Sequence, residues 1–175
     1  RIIGVMNNIE GSDGTKDSRI KLLSKESVGK MSWNASSQQL ENGLEEGNMG
    51  VGLNEWSQAD MMKVLNPGYE SEAIGGSLYW NKQSGTCYYG ENNATTACDF
   101  TVTGLNEESK SYIDNVVWNT GSNTVGETVD TLTPNTFYQA ERSDIGGKQC
   151  DTSHMFCTDK VDRTTKWTGR VGLMY

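Results

Sequence analysis

The chain has one histidine, His154, and two prolines among 175 residues, and it is short of basic side chains and of long apolar runs. Each shortage excludes something. A lone histidine near the C-terminal end, with no Gly-x-Ser-x-Gly context, cannot complete a Ser-His-Asp triad. Arg1-Ile2-Ile3-Gly4 therefore only looks like an activated serine-protease N-terminus. No stretch approaches the roughly 18 apolar residues of a membrane-spanning helix. Fifteen Lys and Arg against 23 Asp and Glu leave a net charge of −8, which repels nucleic acid and anionic membrane at long range. Basic partners and neutral ligands stay open.

Hydrophobic content is 34%, below the globular norm, and glycine is abundant at 20 residues. That balance describes a loop-rich domain with a modest core, which five Trp and seven Tyr help to fill. The length suits a single domain spanning 1–175. The chain opens at Arg1, already in strand-like sequence, so we expect a fragment or processed product whose targeting and anchoring segments are lost.

The four cysteines fall as two local pairs, Cys87 with Cys98 and Cys150 with Cys157. An even count at short spacing reads as disulfides in an oxidising compartment and as metal or redox chemistry in a reducing one. Taken as bridges, they imply an extracellular or cell-surface location. Each would pin one surface loop and contribute about 2.5–3 kcal/mol by restricting the unfolded chain. The competing pattern is Cys150-x3-His154-x2-Cys157, which with Asp151 or Asp159 would make a tetrahedral zinc site. No other cofactor is implied.

Along the chain, Arg1 to Met6 and Arg19 to Leu23 predict an antiparallel hairpin around a loop from Asn7 to Ser18, and Gly29 to Trp33 would continue the sheet. Residues 34–52 read as a polar loop. Asn54 caps a predicted helix carrying Trp56, Ala59 and Met62 and stopped by Asn66-Pro67-Gly68. A second helix is predicted from Asn106, with Leu105, Tyr112, Ile113, Val116 and Val117 as its apolar stripe. Ser77 to Asn81, Cys98 to Val102 and Val171 to Tyr175 predict strands, and residues 121–134 a polar connector. Strands and two amphipathic helices without βαβ alternation indicate an α+β domain with an antiparallel sheet and long loops.

Tyr79, Trp80, Tyr88 and Tyr89 flank or occupy the first stapled loop and are the candidate ligand-binding residues, since aromatic side chains offer contact area at low entropic cost. Alternation would place Tyr79 and Trp80 on opposite strand faces, one of them in the core. The competing reading makes the whole set structural. Glu45 with Glu46, Glu107 with Glu108 and Asp159 with Asp162 are paired carboxylates of the kind glycosidases use, but they sit in polar segments with no sign of the burial that tunes such groups. The Asp13-Gly14-Thr15-Lys16-Asp17 loop is a candidate for weak calcium binding, lacking the acidic ladder and terminal Glu of a strong calcium loop. Asn34-Ala35-Ser36 and Asn93-Ala94-Thr95 match the glycosylation sequon.

Several strings carry a wider likeness: Arg1-Ile2-Ile3-Gly4-Val5, Arg19 to Trp33, Asn54-Glu55-Trp56-Ser57-Gln58-Ala59-Asp60, Leu65-Asn66-Pro67-Gly68-Tyr69-Glu70, Gly75 to Asn81 and Trp167 to Tyr175. They resemble uncharacterised secreted or cell-surface proteins of anaerobic gut Firmicutes. The order of hairpin, Asn-Glu-Trp-Ser helix, Leu-Asn-Glu-Glu helix and Val-Gly-Leu-Met strand resembles a domain of unknown function with a C-type-lectin-like arrangement. In such proteins further sequence after the last strand would finish the sheet. The resemblance implies a compartment and an architecture, and it brings no ligand and no catalytic residues.

The expected function is thus a non-catalytic recognition or adhesion domain that binds a host or bacterial surface glycan or protein through its pinned loops. A structural subunit of a surface filament or cell-wall array, with copies of itself as partners, is the alternative, and a hydrolase built around His154 is remote. Non-reducing peptide mapping should recover Cys87–Cys98 and Cys150–Cys157 as bridged pairs. Free thiols at Cys150 and Cys157 together with stoichiometric zinc would establish the metal site instead.

Overall fold

The computed structural model describes residues 1–34, 56–90, 93–119 and 165–173. Their elements in chain order are β1 (Ile2–Glu10), β2 (Lys16–Leu22), a 3-10 turn (Trp56–Gln58), α1 (Asp60–Leu65), β3 (Ser84–Tyr88), β4 (Thr95–Asp99), α2 (Glu107–Ser111), β5 (Val116–Asn119) and β6 (Lys166–Gly169). The described residues make a mixed, strand-rich α+β unit with two short helices. Among them the strands form three separate antiparallel pairs, β1-β2, β3-β4 and β5-β6, in place of the one continuous sheet expected.

The first hairpin is longer than predicted. Strand pairing runs on to Glu10 and Lys16, so most of the expected Asn7 to Ser18 loop is strand and the turn is confined to residues 12–14. Cross-strand bonding extends past the other end as well, where the Arg1 ammonium donates to the Leu23 carbonyl at 2.6 Å. Register shifts between Ile2 and Gly4 and between Met6 and Ile9 absorb the extra residues on β1. A single bridge, Gly11 to Val116, links this ribbon to the third pair.

Chain entry to α1 passes through the 3-10 turn, and the N-cap position is Ala59, which makes no side-chain cap. The expected cap, Asn54, lies outside the described residues. The C-terminal stop is where the sequence places it. Asn66 is 4% exposed, and its backbone and side-chain N–H groups both donate to the Met62 carbonyl at 3.1 Å. Pro67 cannot continue the helix.

The rest of that carboxamide is committed across the molecule. Its Oδ1 accepts from the backbone N–H groups of Arg170 and Val171 at 3.0 and 2.9 Å, and its Nδ2 donates to the Val171 carbonyl at 3.0 Å. Ser77 then fixes the Asn66 backbone by donating its hydroxyl to the Asn66 carbonyl at 2.7 Å. Ser77 itself has φ of 56°, and residues 73–82 are turns rather than the predicted strand. Bonds from Ser77 N to Lys63 O and from Tyr79 N to Val64 O tie these turns to α1 and leave no free ladder for a strand.

The core gathers Ala59, Met62, Val64 and Leu65 around Leu78 and Phe100. Its flank is aromatic. Trp33 meets Trp56 at 5.1 Å between ring centroids, Trp56 meets Trp167 at 5.7 Å, and Trp167 stacks on Trp118 at 5.5 Å with ring planes 7° apart. The last pair stands directly opposed across β5 and β6. A Cβ at Gly169 would lie 1.9 Å from the Trp167 ring, so only glycine leaves room for that stack. The Trp118 indole N–H donates to the Gly169 carbonyl at 2.9 Å. Trp56 Nε1, by contrast, is buried and meets no acceptor among the described residues.

α2 corrects a second expectation. Asn106 caps it as predicted, its Oδ1 accepting from Ser109 N at 2.8 Å, but the helix ends at Ser111 and buries no residue. Val116 and Val117 belong to β5, where β-branched side chains pair with β6. Tyr112 is exposed instead of lying in an apolar stripe. Gly29 to Trp33 forms no strand, β4 starts earlier than the predicted Cys98, and the last strand among the described residues is β6; residues 171–173 of the expected Val171 to Tyr175 strand are not in strand, and Met174 and Tyr175 lie outside the described residues.

Asn66→Ala strands two N–H groups and a carbonyl in a part-buried site. It should cost about 3 kcal/mol, measurable as a lowered denaturation midpoint with unchanged slope.

Candidate functional site

The β3–β4 hairpin presents the sequence-predicted residues with the most definite geometry. Ser84 to Tyr88 pair with Asp99 to Thr95 in unbroken register. Gly85 faces Cys98 and Cys87 faces Thr96, so the two cysteines lie diagonally on one face, with their Cα atoms 5.8 Å apart and bridged. Cys87 is fully buried in the core cluster and Cys98 packs against it. The staple therefore joins adjacent strands and anchors the hairpin base to the core.

Beyond the bridge the hairpin is held from two sides. The ladder continues to Tyr88 and Thr95, and Tyr89 N donates to the Ala94 carbonyl at 2.8 Å. On the other side, Ser32 N donates to the Tyr88 carbonyl and its hydroxyl to the Gly90 carbonyl, both at 2.9 Å. Gly90, with φ of 94°, adopts a backbone conformation that side chains disfavour. Tyr88 is half-buried, and Tyr89 at 48% exposure projects from the pinned tip. Asn93 of the second sequon stands exposed at the same tip with φ of 57°.

Tyr79 and Trp80 are not part of this surface. Both are buried, and they follow one another in a turn, so the alternation expected of a strand does not apply. Tyr79 packs edge-on against Phe100 at 5.7 Å, and burial pushes its hydroxyl above the ordinary tyrosine range. Trp80 receives the Lys110 ammonium at 5.8 Å and the Arg170 guanidinium at 5.6 Å from its ring centroid. The four aromatic candidates thus divide into a structural pair and a tip pair.

Other sequence candidates resolve as local structure. Asp13 Oδ1 accepts from the Thr15 hydroxyl at 2.7 Å and from its N–H at 3.0 Å, which holds the Asp13 carboxyl below the usual carboxylate range. That oxygen closes a turn. Asp99 repeats the arrangement with Thr101, at 2.6 and 2.9 Å, with the same downward effect. Glu107 pairs with Lys110 at 2.7 Å on the exposed helix. Among the described residues no three His, Cys, Asp or Glu side chains converge as metal ligands. Cys150, His154 and Cys157, the carboxylates Glu45, Glu46, Asp159 and Asp162, and nearly all of the 34–52 loop lie outside the described residues.

Sequence reasoning missed two features. Trp33, Trp56, Trp118 and Trp167 were visible one by one, but their convergence has no periodic signal because long intervals separate them. The Ser32 strap had none either, since a serine in an irregular segment bonds wherever tertiary structure brings an acceptor. Among the described residues no helix is long and apolar enough to cross a membrane. Comparison with protein-family models, curated proteins and solved structures finds no match.

Replacing Cys87 and Cys98 together by serine should lower stability by about 3 kcal/mol. Urea denaturation of the oxidised and variant chains checks this, and equal midpoints would show that the bridge contributes nothing.

Proposed function

We propose that the chain is a non-catalytic extracellular recognition domain that binds a surface glycan or protein through the tip of the β3–β4 hairpin. The observation carrying this reading is the combination of a backbone tied down by disulfide, ladder and Ser32 with an exposed aromatic side chain, Tyr89, at its end. A backbone already held at Tyr88, Tyr89 and Gly90 loses little conformational entropy when a ligand docks, so its contacts convert more fully into affinity. Tyrosine suits both candidate ligands, because its ring face stacks on the apolar face of a sugar or a side chain while its hydroxyl hydrogen-bonds.

The compartment belongs to the same proposal. A local staple in a small loop-rich domain fits an oxidising environment, and the resemblance to secreted and cell-surface proteins of gut Firmicutes points the same way. The C-type-lectin-like arrangement is part of the reading too. Antiparallel hairpins, short flanking helices and a stapled loop support it.

Glycan and mucin arrays probed with the oxidised, folded chain should show binding above background. Tyr89→Ala should weaken it about tenfold or more with the thermal midpoint unchanged. Absence of binding by a verified fold, or binding indifferent to Tyr89, would remove the hairpin tip from consideration.

A further inference from the structure

The β1–β2 ribbon is built inside out. Cross-strand partners share a face, and residues two apart on a strand share one also. Leu22 and Ile20 therefore lie on one face with their partners Ile2 and Val5, the register shift after Ile2 accommodating the odd spacing on β1. These four aliphatic side chains are 69% (Ile2), 63% (Val5), 59% (Ile20) and 56% (Leu22) exposed. The opposite face carries Gly4 and Met6 across from Lys21 and Arg19, and there Gly4, Arg19 and Lys21 are half-buried. Over this half of the ribbon Arg19 and Lys21 face the body of the domain and the four aliphatics face outward, while toward the turn Lys16 continues the outer face and the half-buried Ile9 lies opposite Asp17 on the inner one.

The orientation is enforced. Arg19 pairs with Asp114, Lys21 lies 5.7 Å over the Trp118 ring, and Gly11 bridges to Val116. A slip of one residue would turn all four aliphatics inward, since side chains alternate with a period of two. The domain instead spends specific cation contacts on keeping them out. The outward patch is on the order of 400 Å², within the range of the largest apolar patch on an ordinary monomer, a patch that is often functional.

We infer that this outer face of the ribbon is a self-association surface on which a second copy of the chain packs, ribbon against ribbon, about a two-fold axis. Charge favours a second copy as the occupant. Residues 1–23 hold Arg1, Lys16, Arg19 and Lys21 against Glu10, Asp13 and Asp17, a net of +1 in a chain of −8, which leaves −9 on the remainder. Two copies repel least where their ribbons meet. The aliphatic end of the face is also self-complementary, because its two cross-strand pairs meet their own equivalents, with Lys16 and Glu10 farther along toward the turn. Its area fixes the strength. Four side chains supply about half of the roughly 800 Å² per partner in a standard interface, so the contact is weak, reversible and dependent on concentration.

Analytical ultracentrifugation of the full oxidised chain between about 1 μM and about 1 mM, the range set by a sub-standard interface, tests this. The mass should rise from monomer toward dimer. Val5→Thr with Ile20→Thr keeps β-branched side chains suited to a strand and should raise the dissociation constant at least about tenfold, with circular dichroism and thermal midpoint unchanged. Tyr89→Ala should leave dimerisation intact, which separates this surface from the hairpin tip. A chain monomeric throughout, a double variant that dimerises as well as the parent, or mass growing past the dimer would each overturn the inference. So would phosphatidylcholine vesicles capturing a monomeric chain through the same two side chains.

Discussion

The Asn66 carboxamide is the constraint on which the arrangement of the described segments depends. It reaches residues 104 and 105 positions away and treats them as an adjacent strand would, accepting from two N–H groups and returning a donor to Val171. A buried amide with every one of these bonds made is stabilising, and the same amide with one missing is costly. The site therefore specifies geometry more sharply than hydrophobic burial does. Because Asn66 also terminates α1, one side chain sets both where the helix stops and where the segment after β6 lies.

From that anchor the aromatic contacts follow. Fixing Arg170 and Val171 positions β6, β6 positions Trp167, and Trp167 brings Trp118 and Trp56 into register on either side. Trp80 uses the same anchor differently, since Arg170 covers its ring from the clamped segment while Lys110 covers it from α2. In a chain with a hydrophobic content of 34%, large rings linking distant segments do the work that a deeper aliphatic core does elsewhere. A donor at Trp56 Nε1 with no acceptor among the described residues is tolerated because the ring's apolar surface outweighs one lost bond.

What was legible in the sequence was local. The first hairpin, the stop at Asn66-Pro67-Gly68, the Asn106 cap and the Cys87–Cys98 staple all rest on interactions within a dozen or so residues or on strong periodicity. Failures came where tertiary contacts chose among local options. Ser77 to Asn81 has the composition of a strand, but bonding to α1 and Asn66 folds it into turns that bury Tyr79 and Trp80 together. Val116 and Val117 fit a helical stripe by spacing, and β6, some fifty residues later, claims them for pairing. At the candidate site the staple was readable and the exposed tip was not, because exposure depends on what else packs nearby.

The ribbon shows why pattern alone misleads about faces. Alternation in Ile20-Lys21-Leu22 reads as a half-buried strand with its aliphatic side inward, and that inference assumes that hydrocarbon is what the body of the domain offers. Here the body offers an indole face at Trp118 and a carboxylate at Asp114, both of which prefer a cation to a methyl group. With the inner partners fixed as acceptors of charge, Lys21 and Arg19 must turn toward them, and a period of two leaves Ile20 and Leu22 no choice but to face out. The exposed aliphatic surface is thus a consequence of the aromatic flank rather than an independent feature, and it ties the one apolar patch of this ribbon to the Asn66 anchor through β6, Trp167 and Trp118.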